Sequence, residues 1–224
     1  MPRFTRESIP LTGREIRKAA RAAVSALEEN NLNCCLFGSA ACAIYGMERD
    51  PNDVDIVVLS DKNPEDIKDI IEAYDDKFSL VPSANPANTY RVLWYSLPGR
   101  RTCKVDILVP GLLSIPRVPV RRIVYQDPFP DIPVLPLLPL LLLKLRGWTD
   151  HREDHRQYMR DKVPVDEEDI DELLSLAVEE YEVHLRSEKW LPGWFVQEAK
   201  ERIQEYVEEF PESSELWNEV GFVV

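Results

Sequence analysis

The stretch that most constrains what this chain can fold into runs from Leu36 to Val58. An apolar strand candidate over residues 33–37 meets Gly38-Ser39, a short Ala-rich helix candidate covers residues 40–45, and a second strand candidate opens with Asp53-Val54-Asp55. In a strand, side chains two apart project from the same face, so Asp53 and Asp55 point together while Val54, Ile56 and Val58 face a core. Adjacent carboxylates repel, and a hard divalent cation with oxygen ligands relieves that repulsion. Gly38-Ser39 offers free backbone N–H groups, the positive end of a helix dipole and a hydroxyl, which suit an anion such as a triphosphate. Metal and phosphate are therefore expected side by side.

Residues 101–109 read as another strand, with Lys104, Asp106 and Leu108 on one face and Val105, Ile107 and Val109 on the other. Paired beside the Asp53 strand with matching faces, this strand adds Asp106 as a third carboxylate. Taken singly, an Asp-x-Asp is a common strand edge and a Gly-Ser an ordinary helix start; the order of the three elements carries the argument.

With Gly38-Ser39, then Asp53-x-Asp55, then the later strand aspartate Asp106, the chain resembles the nucleotidyltransferase superfamily typified by DNA polymerase beta. Thirteen residues separate Ser39 from Asp53, and Arg49 through Asp55 match an Arg-x-x-x-Asp-x-Asp pattern, as in the toxin-type and antibiotic-modifying branches. The resemblance covers about the first half of the chain. It implies transfer of a nucleoside monophosphate from a nucleoside triphosphate such as ATP to a hydroxyl acceptor, with two Mg2+ or Mn2+ ions held by Asp53, Asp55 and Asp106. Asp106 is also a candidate base. Gly38, Ser39 and Arg49 would contact the nucleotide, and Lys144, in a Leu-rich helix, would neutralise phosphate charge. Downstream acidic residues accompany that lysine in related enzymes, and Asp154, Asp166 and Asp169 are all candidates here.

Charge bears on the acceptor. The 224 residues carry a formal net charge of −13, and residues 163–224 hold 4 Lys+Arg against 18 Asp+Glu, leaving 23 against 22 for residues 1–162. An acidic protein gains little from counterion release, so long duplex DNA is not an expected partner, whereas a small molecule, a protein side chain or an RNA end is. A local basic pocket is expected from Arg100, Arg101, Lys104, Arg117, Arg121, Arg122, Lys144, Arg146, Arg152 and Arg156. Cys34, Cys35, Cys42 and Cys103 lack metal-binding spacing and read as buried free thiols of a reducing compartment. The longest apolar run, 132–143, is broken by three prolines and is too short for a bilayer, so a cytoplasmic protein without membrane contact is expected.

Along the chain, Thr12-Gly13-Arg14-Glu15 is a capping box opening a helix to Asn30, and Asn63-Pro64 opens a second helix to Tyr74. Strands are expected at 53–59, 78–81, 90–97 and 102–109, with a turn at Pro98-Gly99-Arg100, loops at 83–88 and 111–119, and a further strand candidate at 120–125. This gives an α/β architecture: a mixed-sheet nucleotidyltransferase core over 1–126, a Pro-rich linker over 127–139, and a helical subdomain over 140–224. Pro139 would start a buried helix through Leu145. His151 and His155 sit at i,i+4, suited to one face of a charged helix start and only weakly to a metal. Helices over 166–182 and 193–210 have acidic outer faces, either solvated or open to a basic protein partner, and Trp190, Trp194 and Trp217 are expected to fill the packing between them. Two further readings stand beside the enzyme: a degenerate module that binds nucleotide without transferring it, and an interaction protein acting through the acidic helices.

Overall fold

The computed structural model describes residues 10–85 and 87–224. The N-terminal helix α1 (Gly13–Glu29) begins at the capping box, where the Thr12 hydroxyl accepts from the Glu15 N–H and the Glu15 carboxylate accepts from the Thr12 N–H. Its inner stripe, Ile16, Ala19, Ala20, Ala23, Val24 and Leu27, is buried. Strand β1 (Cys34–Phe37) leads into helix α2 (Gly38–Ile44), then strand β2 (Val54–Val58), which starts one residue after Asp53. Helix α3 (Pro64–Tyr74) is capped by the Asn63 side chain, which accepts from the Glu65 N–H. Strands β3 (Phe78–Pro82), β4 (Arg91–Leu97) and β5 (Arg101–Leu108) follow; the loop expected at 83–88 includes Pro86, outside the described residues.

The stretch expected as a further strand at 120–125 divides into a 3-10 turn at Val120–Arg122 and strand β6 (Val124–Gln126). Strand β7 (Phe129–Val134) is a correction: it lies within the span 127–139 expected as a linker, pairs parallel with β1 at Leu36 and Val134, and the Leu135 N–H donates to the Leu36 carbonyl at 2.9 Å. Proline removes only a donor, and in this short ladder the burial of Ile132 and Val134, both 0% exposed, outweighs the missing bonds. The sheet order is β3-β4-β5-β2-β1-β7-β6, parallel at β2/β5 and β1/β7 and antiparallel elsewhere.

Helix α4 (Leu137–Glu153) starts two residues before Pro139 and continues past Leu145. Pro139 sits in its first turn, where an N–H has no intrahelical acceptor. Helices α5 (Gln157–Arg160), α6 (Val163–Glu179), α7 (Gly193–Glu209) and α8 (Ser214–Glu219) complete the chain. Because α4 ends at Glu153 and Asp154 is extended, His155 lies outside the helix and the two histidines do not share a helix face. Of the three tryptophans expected between the helices, Trp217 is fully buried and stacks edge-on near Tyr206, Trp190 is half-buried, and Trp194 is 48% exposed. All four cysteines are buried free thiols, and burial pushes Cys34, Cys42 and Cys103 up to about 12, so they remain protonated. No helix among the described residues is long and apolar enough to cross a membrane.

Candidate active site

The site is built where β1, β2 and β5 lie side by side. Alternation along β2 buries Val54 and Ile56 and turns Asp55 to the opposite face, where Asp53 precedes it. The parallel register sets Asp55 beside Asp106, and the antiparallel register sets it beside Phe37, the last residue before Gly38. Gly38 has φ +61, and a Cβ there would lie 2.3 Å from Asp55 Oδ2, so the turn from β1 into α2 requires glycine twice over. Burial, then the charges of Asp53 and Asp106, push the Asp55 carboxyl up to about 8. Burial also raises Asp53, with Lys104, Lys162 and Lys144 opposing and Asp106 assisting. Asp106 itself bonds the Lys104 ammonium, two residues earlier on the same strand face. Burial disfavours charge on that ammonium, yet the bond to Asp106 and the surrounding carboxylates raise its pKa.

A second cluster lies at the head of α2. Ser39 Oγ accepts from Arg49 Nη2 at 2.8 Å and from Lys144 Nζ at 3.3 Å. Both cations converge on Asp169 of α6: Arg49 Nε donates at 2.7 Å, Arg49 Nη2 at 2.5 Å, and Lys144 Nζ at 2.5 Å. Asp169 is 2% exposed; burial alone would raise its pKa, but the Arg49 bonds and the Lys144 charge hold it below the ordinary aspartate value. Two cations against one carboxylate leave a net positive charge beside the Ser39 hydroxyl, the electrostatics a phosphate group requires.

The two clusters face one cavity of about 720 Å³, in the range that encloses a nucleotide-sized ligand. Gly38, Ser39, Arg49, Asp53 and Asp55 line it, together with Lys144, Gly147 and His151 of α4, and Asp161, Lys162, Val165 and Asp166 around the start of α6. Asp106 stands one strand away and is not in the lining. Of the ten basic residues expected to form a local pocket, Lys144 alone lines the cavity. Lys104 stays beside the cluster on Asp106, and others pair elsewhere, with Arg117 on Asp61, Arg122 on Glu188 at 2.6 Å, Arg152 on Glu209 at 2.8 Å and Arg156 on Asp154 at 2.5 Å.

The three acidic candidates separate cleanly: Asp169 meets Lys144, Asp166 Oδ2 lies 2.5 Å from His151 Nδ1, and Asp154 binds Arg156. Sequence reasoning missed Lys162, an exposed ammonium in the lining, and the placement of His151, whose signal was its seven-residue spacing from Lys144. As for a metal, no three His, Cys, Asp or Glu side chains among the described residues are arranged as a ready cage, since Asp106 is turned to Lys104. The donor set nevertheless suits a hard cation: oxygen-only, with the Asp55 carboxyl raised by burial and then by the neighbouring carboxylates, and set against Gly38, where no Cβ intrudes.

No protein-family model matches the chain, and no curated protein sequence does. Solved structures do. An antigenic nucleotidyltransferase-like protein from Paracoccidioides brasiliensis superposes with a TM-score of 0.67 at 15% identity, covering 96% of each chain. JHP933 from Helicobacter pylori matches at 0.50 and 13% identity, over 96% of this chain and 84% of that one. A putative nucleotidyltransferase from H. pylori matches at 0.50 and 15%, over 93% and 82%. The chain therefore shares the fold of these structures, an α/β mixed sheet with flanking helices.

Proposed function

We propose that this chain is a metal-dependent nucleotidyltransferase that moves a nucleoside monophosphate from a nucleoside triphosphate, such as ATP, to a hydroxyl acceptor. The observation that carries the reading is the β2/β5 register, which sets Asp106 one strand from Asp55, while Asp55 and Asp53 line a cavity shared with Ser39, Arg49 and Lys144. Asp53 and Asp55, joined by Asp106 once it leaves Lys104, would hold one or two Mg2+ or Mn2+ ions. Bound there, such ions supply charge neutralisation and Lewis acidity at the reacting phosphate. Ser39, Arg49 and Lys144 bind and orient the outer phosphates, and Asp106 receives the proton of the attacking hydroxyl. The acceptor class is a small molecule, a protein side chain or an RNA end.

The Lys104–Asp106 ion pair favours one second reading, a module that binds nucleotide and leaves it intact, because it withholds the third carboxylate from a metal. Calorimetric titration of ATP, with and without Mg2+, separates these readings from a site that binds no nucleotide, and a labelled-ATP transfer assay separates transfer from binding. The expected outcome is at least about tenfold tighter binding in Mg2+ than in chelator, abolished in the Asp53→Asn, Asp55→Asn double variant. Equal affinity in both buffers would overturn the metal assignment.

A further inference from the structure

Lys144, Gly147 and His151 occupy positions i, i+3 and i+7 of α4, and all three line the cavity. Seven helical residues rise about 10 Å and return almost to the same azimuth, so His151 lies two turns along one stripe from the lysine that touches Ser39. Between them Gly147 has no side chain, and a Cβ there would meet nothing within 4 Å. The wall between the phosphate end and His151 is thus open, with Val165 and Asp166 of α6 also in the lining.

His151 is held rather than loose. Its Nδ1 lies 2.5 Å from Oδ2 of Asp166, a residue only 8% exposed. An ionised carboxylate accepts and does not donate, so Nδ1 carries the proton of this contact. In the neutral imidazole that tautomer makes Nε2 an acceptor, and Nε2 has no protein partner among the described residues. With the outer phosphates at Ser39 and Lys144, the rest of the substrate would run along the open α4 wall, on which His151 stands about two helical turns away.

Resting on the proposed nucleotide site, we infer that His151 is a specificity-determining residue for the nucleoside half of the substrate: Nε2 accepts a hydrogen bond from a donor on the nucleoside, while Asp166 fixes the ring. Two nucleoside groups have that chemistry, a ribose hydroxyl and the exocyclic amine of a base. A histidine that only packs α4 against α6 would be indifferent to both.

The test is calorimetric titration in Mg2+ of ATP, ITP, 2′-deoxyATP, 3′-deoxyATP and inorganic triphosphate, on the wild-type chain and on His151→Leu. ITP lacks the amine and the deoxy analogues each lack one hydroxyl, so the wild-type protein alone identifies the donor. One analogue is expected to bind about three- to tenfold more weakly than ATP, the range of a neutral hydrogen bond. His151→Leu is expected to lower ATP affinity to that analogue's level while leaving that analogue and inorganic triphosphate unchanged. The inference is overturned if the wild type binds ATP and all three analogues alike, or if His151→Leu weakens every ligand including triphosphate by the same factor. Triphosphate binding retained without discrimination overturns this inference alone; absence of any Mg2+-dependent binding of ATP or triphosphate overturns the proposed function with it. Should His151→Leu fail to fold, the wild-type analogue series decides.

Discussion

Asp55 shows how a site is assembled against its own electrostatics. Half-buried beside Gly38 and flanked by Asp53 and Asp106, its carboxyl is pushed up to about 8 from an ordinary value of 3.8, by desolvation first and then by those two charges. Between those values the folded chain keeps a proton that the unfolded chain releases. Stability must therefore fall as pH rises through that window, and level off above it. Urea unfolding in chelator between pH 4 and pH 9 is expected to show this decline, and Asp55→Asn to remove the part of the slope that Asp55 supplies. An unchanged slope in the variant would show that Asp55 ionises normally. Divalent cation should restore more stability at pH 8 than at pH 5, because it needs the carboxylate that the proton otherwise occupies. The Lys104 ammonium on Asp106 is the chain's internal counter-charge for the same cluster.

Among the elements, α4 carries the most. Its first half is buried almost all round, with Leu140, Leu141 and Leu145 at 0% exposure, which hides any single apolar stripe from a periodicity argument. Its second half becomes one-sided: Trp148 is buried while Gly147 and His151 open onto the cavity. Gly147→Leu exploits that geometry. The backbone is ordinary helix with open space at Cβ, and replacing glycine inside a helix gains about 1 kcal/mol of propensity, so the thermal midpoint is expected to hold or rise. The new side chain would fill the cavity, and Mg2+-dependent ATP affinity is expected to drop by at least about tenfold. A stable variant with unaltered affinity would place the nucleotide elsewhere. Strand β7 makes the complementary point, since three prolines from Pro128 to Pro133 suggest a linker, yet the core beside β1 takes in Ile132 and Val134.

For the whole molecule, the charge map sets the kind of partner. The −14 carried by residues 163–224 lies largely on α6 and α7, and several of the basic residues before them are held in separate ion pairs such as Arg117–Asp61 and Arg152–Glu209. With no basic track among the described residues, few counterions are released from a duplex, so DNA binding is expected to be weak with a shallow dependence on salt. Gel shifts across salt concentrations check this; tight, length-dependent binding with a steep slope would contradict it. Much was legible from the residues alone because it is encoded locally: the capping box at Thr12, the alternation that turns Asp53 and Asp55 away from Val54 and Ile56, and the Gly38-Ser39 turn each depend on neighbours a few positions apart. The β2/β5 register that sets Asp55 beside Asp106 was expected only as a conditional, since pairing depends on how the whole sheet packs. Which acid would meet Lys144 was not legible at all. Asp154, Asp166 and Asp169 have similar local surroundings, and only the packing of α6 against α4 and the loop bearing Arg49, 120 residues away in sequence, assigns Asp169 to the cations and Asp166 to His151. Local pattern determines which face a side chain takes; long-range packing determines what it meets there.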